Sequence, residues 1–225
     1  MRTADLDPID GFLRALDRQL SGPAGAKAEL LTEARGGLED AACAYEESGL
    51  TPAEAGGRAV RDFGRLPELV PAYQAELVAV AGQRLAMWLG MVPLAISAAS
   101  VFMWRGAPWA DVPPQPGYHL LSAGVDRLGT ALTVCGLLAY AWFLLAARRG
   151  RPVTPATVRR LALAGLIGVG ALSVAGLVVY AMTIARAPAA LTWPPMVIGL
   201  VVNGLALGFL ARWAWRCAAW ASAAR

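Results

Sequence analysis

Residues 161–185 read LALAGLIGVGALSVAGLVVYAMTIA, 25 positions without one charged side chain. A helix rises about 1.5 Å per residue, so this stretch crosses the roughly 30 Å of a bilayer's hydrocarbon with a little to spare. Three more stretches have the same character: about Leu85–Trp104, Leu128–Ala147 and Leu191–Ala211. None holds an interior Asp, Glu, Lys or Arg. Four such helices in a soluble protein would make a core with no polar surface to cover it. The expected fold is therefore all-α: a small cytoplasmic helical domain at 1–80, followed by a four-helix transmembrane bundle within 81–225.

Charge divides the chain at the same place. Residues 1–80 carry 8 Lys or Arg against 14 Asp or Glu, a net −6, and the rest carries 12 Arg against Asp111 and Asp126, a net +10. The basic pI of about 9.3 thus belongs to the membrane half. There the arginines border apolar spans and face lipid headgroups, so the pI gives no reason to expect nucleic acid. The interleaved Trp and Arg after Ala211 read the same way, as a helix end in the headgroup belt. Arg84, the run Arg148, Arg149, Arg151, Arg159 and Arg160, and Arg212, Arg216 and Arg225 lie at one set of span ends. Only Arg105, Arg127 and Arg186 lie at the other. The excess of positive charge on the cytoplasmic side predicts an inner-membrane, multi-pass protein with both termini in the cytoplasm. The N-terminus also lacks the apolar core of a signal peptide.

Polarity inside the spans is sparse. Asn203 is the most polar interior residue and is expected to hydrogen-bond between helices. Gly204 and Gly208 form a GxxxG pair, and Gly165, Gly168 and Gly170 thin one side of the third span. Small residues let helices approach closely, which suggests a compact bundle or a face for a second copy of the chain. Trp193-Pro194-Pro195 suits a helix start. The proline-rich loop from about Arg105 to Arg127 joins two spans, with Trp104, Trp109 and Tyr118 as interfacial anchors and Asp126-Arg127 as a boundary marker.

The acidic head reads as four helices. Ile9, Phe12, Leu13, Leu16 and Leu20 recur at helical spacing until Ser21-Gly22-Pro23 breaks the run. A second helix covers about Ala24 to Glu47, with Leu31, Ala34, Leu38, Ala41 and Tyr45 on one face and Gly49 as its stop. Thr51-Pro52-Ala53-Glu54 is a capping box with proline at the first helical position. Gly64 ends that helix, and a fourth starts near Leu66-Pro67-Glu68 and is expected to run on into the first span. Interior Gly36-Gly37 and Gly56-Gly57 each cost about 1 kcal/mol per glycine relative to alanine. A head this small is therefore expected to be marginal by itself.

Five stretches of the head carry a resemblance: Phe12-Leu13-Arg14-Ala15-Leu16, Leu38-Glu39-Asp40-Ala41, Gly49 to Ala55, Arg58-Ala59-Val60-Arg61-Asp62-Phe63-Gly64, and Glu68 to Gln74. Together they resemble the HAAS domain, also called the permease prefix domain, over about a third of the chain. That resemblance implies a bacterial signalling module placed ahead of membrane spans and often accompanied by PadR-like transcriptional regulators. The membrane half shows no transporter motif.

No nucleophile, base or metal-ligand constellation emerges. Cys43, Cys135 and Cys217 are far apart, and His119 is the one histidine. No cofactor and no catalytic residue is expected. The reading that follows is a non-enzymatic membrane regulator whose acidic head recruits a cytoplasmic protein, with Glu39, Asp40, Glu46 and Glu47 as the contact acids. The alternative is a permease component served by a separate ATP-binding subunit, since no phosphate-binding loop is present.

Overall fold

The apolar periodicities become seven α-helices, with no strand among the described residues. The structure is a computed structural model and describes residues 7–103, 105, 107 and 116–223. Trp104, Trp109 and Asp111 lie outside them, as do the two chain ends. The helices are α1 (Pro8–Gln19), α2 (Ala24–Glu47), α3 (Pro52–Phe63), α4 (Leu66–Met103), α5 (Tyr118–Arg148), α6 (Pro155–Arg186) and α7 (Pro194–Ala223). A 3₁₀ turn at Pro188–Thr192 precedes α7. The chain divides into two compact units, one of residues up to Ala81 with the chain from Trp220, the other Gly82–Ala219.

In the first unit each helix boundary has a local cause. Asp7 caps α1, its Oδ1 accepting from the Ile9 N–H at 3.0 Å. Gly49 ends α2 at φ +98° and Gly64 ends α3 at φ +121°, left-handed conformations that residues with a Cβ resist. The Glu54 carboxylate accepts from the Thr51 N–H at 3.1 Å and the Thr51 hydroxyl at 2.6 Å, closing the capping box at the start of α3. Two apolar clusters fill the unit. Ile9, Leu13, Ala34, Leu38, Ala42 and Ala59 join α1, α2 and α3. Leu16, Leu20, Ala26, Leu30 and Leu77 bring in the first turns of α4. The buried line of α2 is thus Ala26, Leu30, Ala34, Leu38 and Ala42, one residue every four, while Leu31, Ala41 and Tyr45 pack at its margin.

Gln74 is a buried polar residue that the pattern did not flag. Its Oε1 accepts from the Ser21 N–H at 2.8 Å and its Nε2 donates to the Ser21 carbonyl at 2.6 Å. One amide therefore pairs both backbone groups of the residue that breaks α1 from α2. Such groups would otherwise be left without partners where the chain packs. Gly22 lies against Leu77 at this point, and an added Cβ would fall 3.0 Å from the Leu77 Cβ.

Four helices are long and apolar enough to cross a membrane: Leu66–Val101, Tyr118–Arg148, Pro155–Arg186 and Pro194–Ser222. In the most apolar window of each, only 17–28% of residues are buried inside protein. Ile167 is 74% exposed, Leu205 71% and Leu138 65%. Apolar surface on that scale needs lipid, and this is a multi-pass membrane protein. The helices extend beyond the expected spans. The fourth starts later than expected, because Pro188–Thr192 forms a 3₁₀ turn and α7 begins at Pro194 and not near Leu191. The Trp-Pro-Pro start signal prevailed over the hydropathy boundary. Pro93 is buried within α4, which continues through it.

Glycines set how closely the membrane helices pack. A Cβ on Gly136 of α5 would fall 2.5 Å from the Gly90 backbone nitrogen of α4. One on Gly82 would meet Val158 at 2.8 Å and Phe143 at 2.9 Å, and one on Gly165 would meet Leu89 at 2.9 Å. These contacts gather α4, α5 and α6 toward the end of the bundle where residues 149–154 link α5 to α6.

Candidate functional site

Each unit offers one candidate surface. In the head it is the outer side of α2. At 100° per residue, Glu29, Glu33, Asp40 and Glu47 fall within about 40° of one another, giving a single ridge. All four are exposed, and Gly36 and the exposed Cys43 share the stripe. No Lys or Arg stands on it. Asp40 and Glu47 make no ion pair or side-chain hydrogen bond among the described residues. Glu33 and Glu76 of α4 both act on the Tyr73 hydroxyl, which extends the acidic face toward α4.

The four acids singled out from the sequence do not form one patch. Asp40 and Glu47 are on the ridge. Glu39 is about a quarter-turn away and pairs with Arg35 at 3.5 Å, and Arg35 also holds Asp10 at 2.6 Å. These partners, Asp10 first, raise the Arg35 pKa. Glu46, seven residues on, shares that flank with Glu39 and is exposed. Adjacent residues diverge by 100° on a helix, so the pairs 39–40 and 46–47 were bound to split. Glu29 and Glu33 were missed, and the spacing 29, 33, 40, 47 was the signal that could have found them.

Several of the head's other charges are paired. A shallow hollow of about 380 Å³ beside Asp10, Asp17 and Arg35 is ringed by ion pairs, including Lys27–Asp17 at 2.9 Å. Tyr45 donates to Asp62, and Arg58 stands 4.9 Å over the Tyr45 ring. That hydrogen bond pushes the Tyr45 phenol above its ordinary pKa. These contacts tie α2 to α3 and lie off the ridge.

In the membrane unit the candidate is a cavity of about 940 Å³ lined by all four helices. It takes in α4 from Pro93 to Val101, α5 from Tyr118 to Gly129, α6 from Leu172 to Thr183, and α7 from Ile198 to Ala211. Asn203, Gly204 and Gly208 line it. Asn203 of α7 lies beside the Tyr180 hydroxyl of α6. Of the two expectations for Gly204 and Gly208, a compact bundle or a face for a second copy, no close approach within the chain is seen: an added Cβ at either meets nothing within 4 Å. A GxxxG pair makes a groove, and here the groove opens on the cavity while Gly82, Gly90, Gly136 and Gly165 carry the close approaches.

The cavity's polar groups are biased toward acceptors. Ser100 donates to the Ser97 carbonyl at 2.8 Å, Ser173 to Val169 at 2.8 Å, Ser122 to His119 at 3.2 Å and Thr183 to Val179 at 2.9 Å. Tyr118 stands 3.2 Å from the Thr183 hydroxyl, whose proton is already engaged, so Tyr118 is the donor there. With their protons spent inside the protein, these hydroxyls offer lone pairs. Asp126, read from the sequence as a boundary marker, also lines the cavity. Its carboxylate has no ion pair or side-chain hydrogen bond among the described residues. Among the described residues no Lys, Arg or His lines the cavity.

Compared with family models, curated proteins and solved structures, the chain matches none.

Proposed function

We propose that this protein is a non-enzymatic membrane regulator whose acidic head lies on the cytoplasmic side and recruits a basic cytoplasmic protein. The resemblance to the HAAS domain makes a PadR-like transcriptional regulator the partner class, and a bacterial inner membrane the setting. The observation that carries the reading is the ridge of Glu29, Glu33, Asp40 and Glu47, exposed and without a cation on its face. Such a ridge does not serve the helix that bears it. The like-charged Glu29–Glu33 pair alone disfavours α2 by about 0.2–0.5 kcal/mol. A basic surface laid along it relieves that repulsion and gains speed of encounter.

The test uses the full chain purified from its native membrane at low and high salt. The double variant Asp40→Lys with Glu47→Lys is compared with the charge-matched, off-ridge double variant Glu46→Lys with Glu68→Lys. The expected result is a cytoplasmic protein retained by the wild type and the off-ridge variant, and lost from the ridge variant and at high salt. The same proteins retained by all three would end the proposal.

The cavity favours a second reading, a permease component working with a separate ATP-binding chain. Its space at lipid depth is of the size that small-molecule sites occupy. Flux in proteoliposomes that stays at the level of empty vesicles, with partner chains supplied, counts against it.

A further inference from the structure

We propose that the membrane cavity is a binding site for an amphipathic amine, an organic ammonium ion with an apolar body. Asp126 holds the charged nitrogen, and the hydrocarbon lies among Leu172, Leu177 and Leu207.

Three observations converge on this chemistry. First, among the described residues Asp126 is the only carboxylate lining the cavity, no other charged side chain lines it, and Asp126 is unpaired. Asp126 is exposed at the cavity, and ionisable groups in membrane helices normally mark a ligand or ion path. Second, the hydroxyls of Ser100, Ser122, Ser173 and Thr183 donate to carbonyls of their own helices, so what they present is acceptor oxygen. A ligand matched to acceptors must bring donors, and a protonated amine brings N–H groups together with positive charge. Third, the volume of about 940 Å³ is far larger than a bare or hydrated inorganic ion needs, and most of the remaining lining is aliphatic or glycine. The occupant therefore has a substantial apolar body. An anion would be repelled by the Asp126 carboxylate, and a neutral alcohol leaves that charge uncompensated.

The cavity lies wholly within the membrane unit, so the proposal stands or falls separately from recruitment by the head. The experiment uses the full chain in lipid nanodiscs and two photoactivatable probes with the same diazirine-bearing twelve-carbon tail, one ending in a primary amine and one in an alcohol. Peptide mapping reads where each attaches. The amine is expected to label α6 and α7 at the cavity and to be displaced by unlabelled dodecylamine. The alcohol is expected to label the same peptides weakly. Asp126→Asn is expected to lower amine labelling about tenfold, the loss of one charge-assisted contact, and to leave the alcohol unchanged. Gly204→Leu fills open space in the cavity while keeping Asp126, and is expected to abolish displaceable labelling by the amine. It also serves as the readout if Asp126→Asn does not fold. Equal labelling by amine and alcohol, or amine labelling that survives both substitutions, overturns the proposal.

Discussion

Gly136 and Gly204 are both glycines in apolar helices, yet their surroundings separate them. A methyl group on Gly136 would sit 2.5 Å from the Gly90 nitrogen, and one on Gly204 would touch nothing within 4 Å. Gly136→Ala must force α4 and α5 apart and is expected to cost about 1–3 kcal/mol, the usual range for overpacking. Gly204→Ala is expected to cost nothing measurable. Thermal unfolding of the two variants in the same nanodiscs checks the contrast; equal midpoints would contradict the packing described. Gln74 makes a similar point in the head. Gln74→Leu keeps the bulk and removes both hydrogen bonds to Ser21, an expected loss of about 1–2 kcal/mol. Faster amide exchange at Ser21 in the full chain would report it, and unchanged exchange would show that the clamp is idle.

At the scale of elements, helix ends were legible and helix partners were not. Thr51-Pro52-Ala53-Glu54 announced the start of α3, Gly64 its end and Gly49 the end of α2, because caps and left-handed stops are local chemistry within four residues. Gly36-Gly37 was read as a cost to α2, and α2 nonetheless continues through the pair, since the buried line from Ala26 to Ala42 outweighs two weak positions. The roles of Gly204, Gly208 and Asp126 were not legible. A GxxxG pair or a lone acid has the same local sequence whether it meets a helix or a hollow, and only the other helices decide. The acidic ridge falls between these cases: its spacing was present in the sequence but crossed by Glu39 and Glu46. The cap of α3 also sets a pH dependence. The Thr51 hydroxyl, and then the Thr51 N–H, bond to the ionised Glu54 carboxylate and lower its pKa below the ordinary 4.5. A depressed carboxylate pKa stabilises the fold above the unfolded value and loses that contribution as pH falls through the folded one. NMR titration should place the Glu54 midpoint below 4.5, and Thr51→Ala should move it part of the way back, the backbone bond remaining. A midpoint that Thr51→Ala leaves unmoved would rule out the hydroxyl as the main cause.

For the whole molecule, composition was the strongest guide. A chain with 57% hydrophobic and 16% charged residues departs from the usual soluble balance of about 45–50% and 25%. The structure shows why: four long helices whose apolar sides face outward. Arginine placement adds direction, with residues 148–160 opposite the short segment around His119. Cysteine accessibility tests this most directly. Cys43 is exposed in the head, and single cysteines at Arg151→Cys and His119→Cys, in a background lacking the native thiols, mark the two ends of the bundle. A membrane-impermeant maleimide applied to intact spheroplasts should modify His119→Cys at once, and Cys43 and Arg151→Cys only after the membrane is opened. Modification of Cys43 and His119→Cys from the same side would contradict the account.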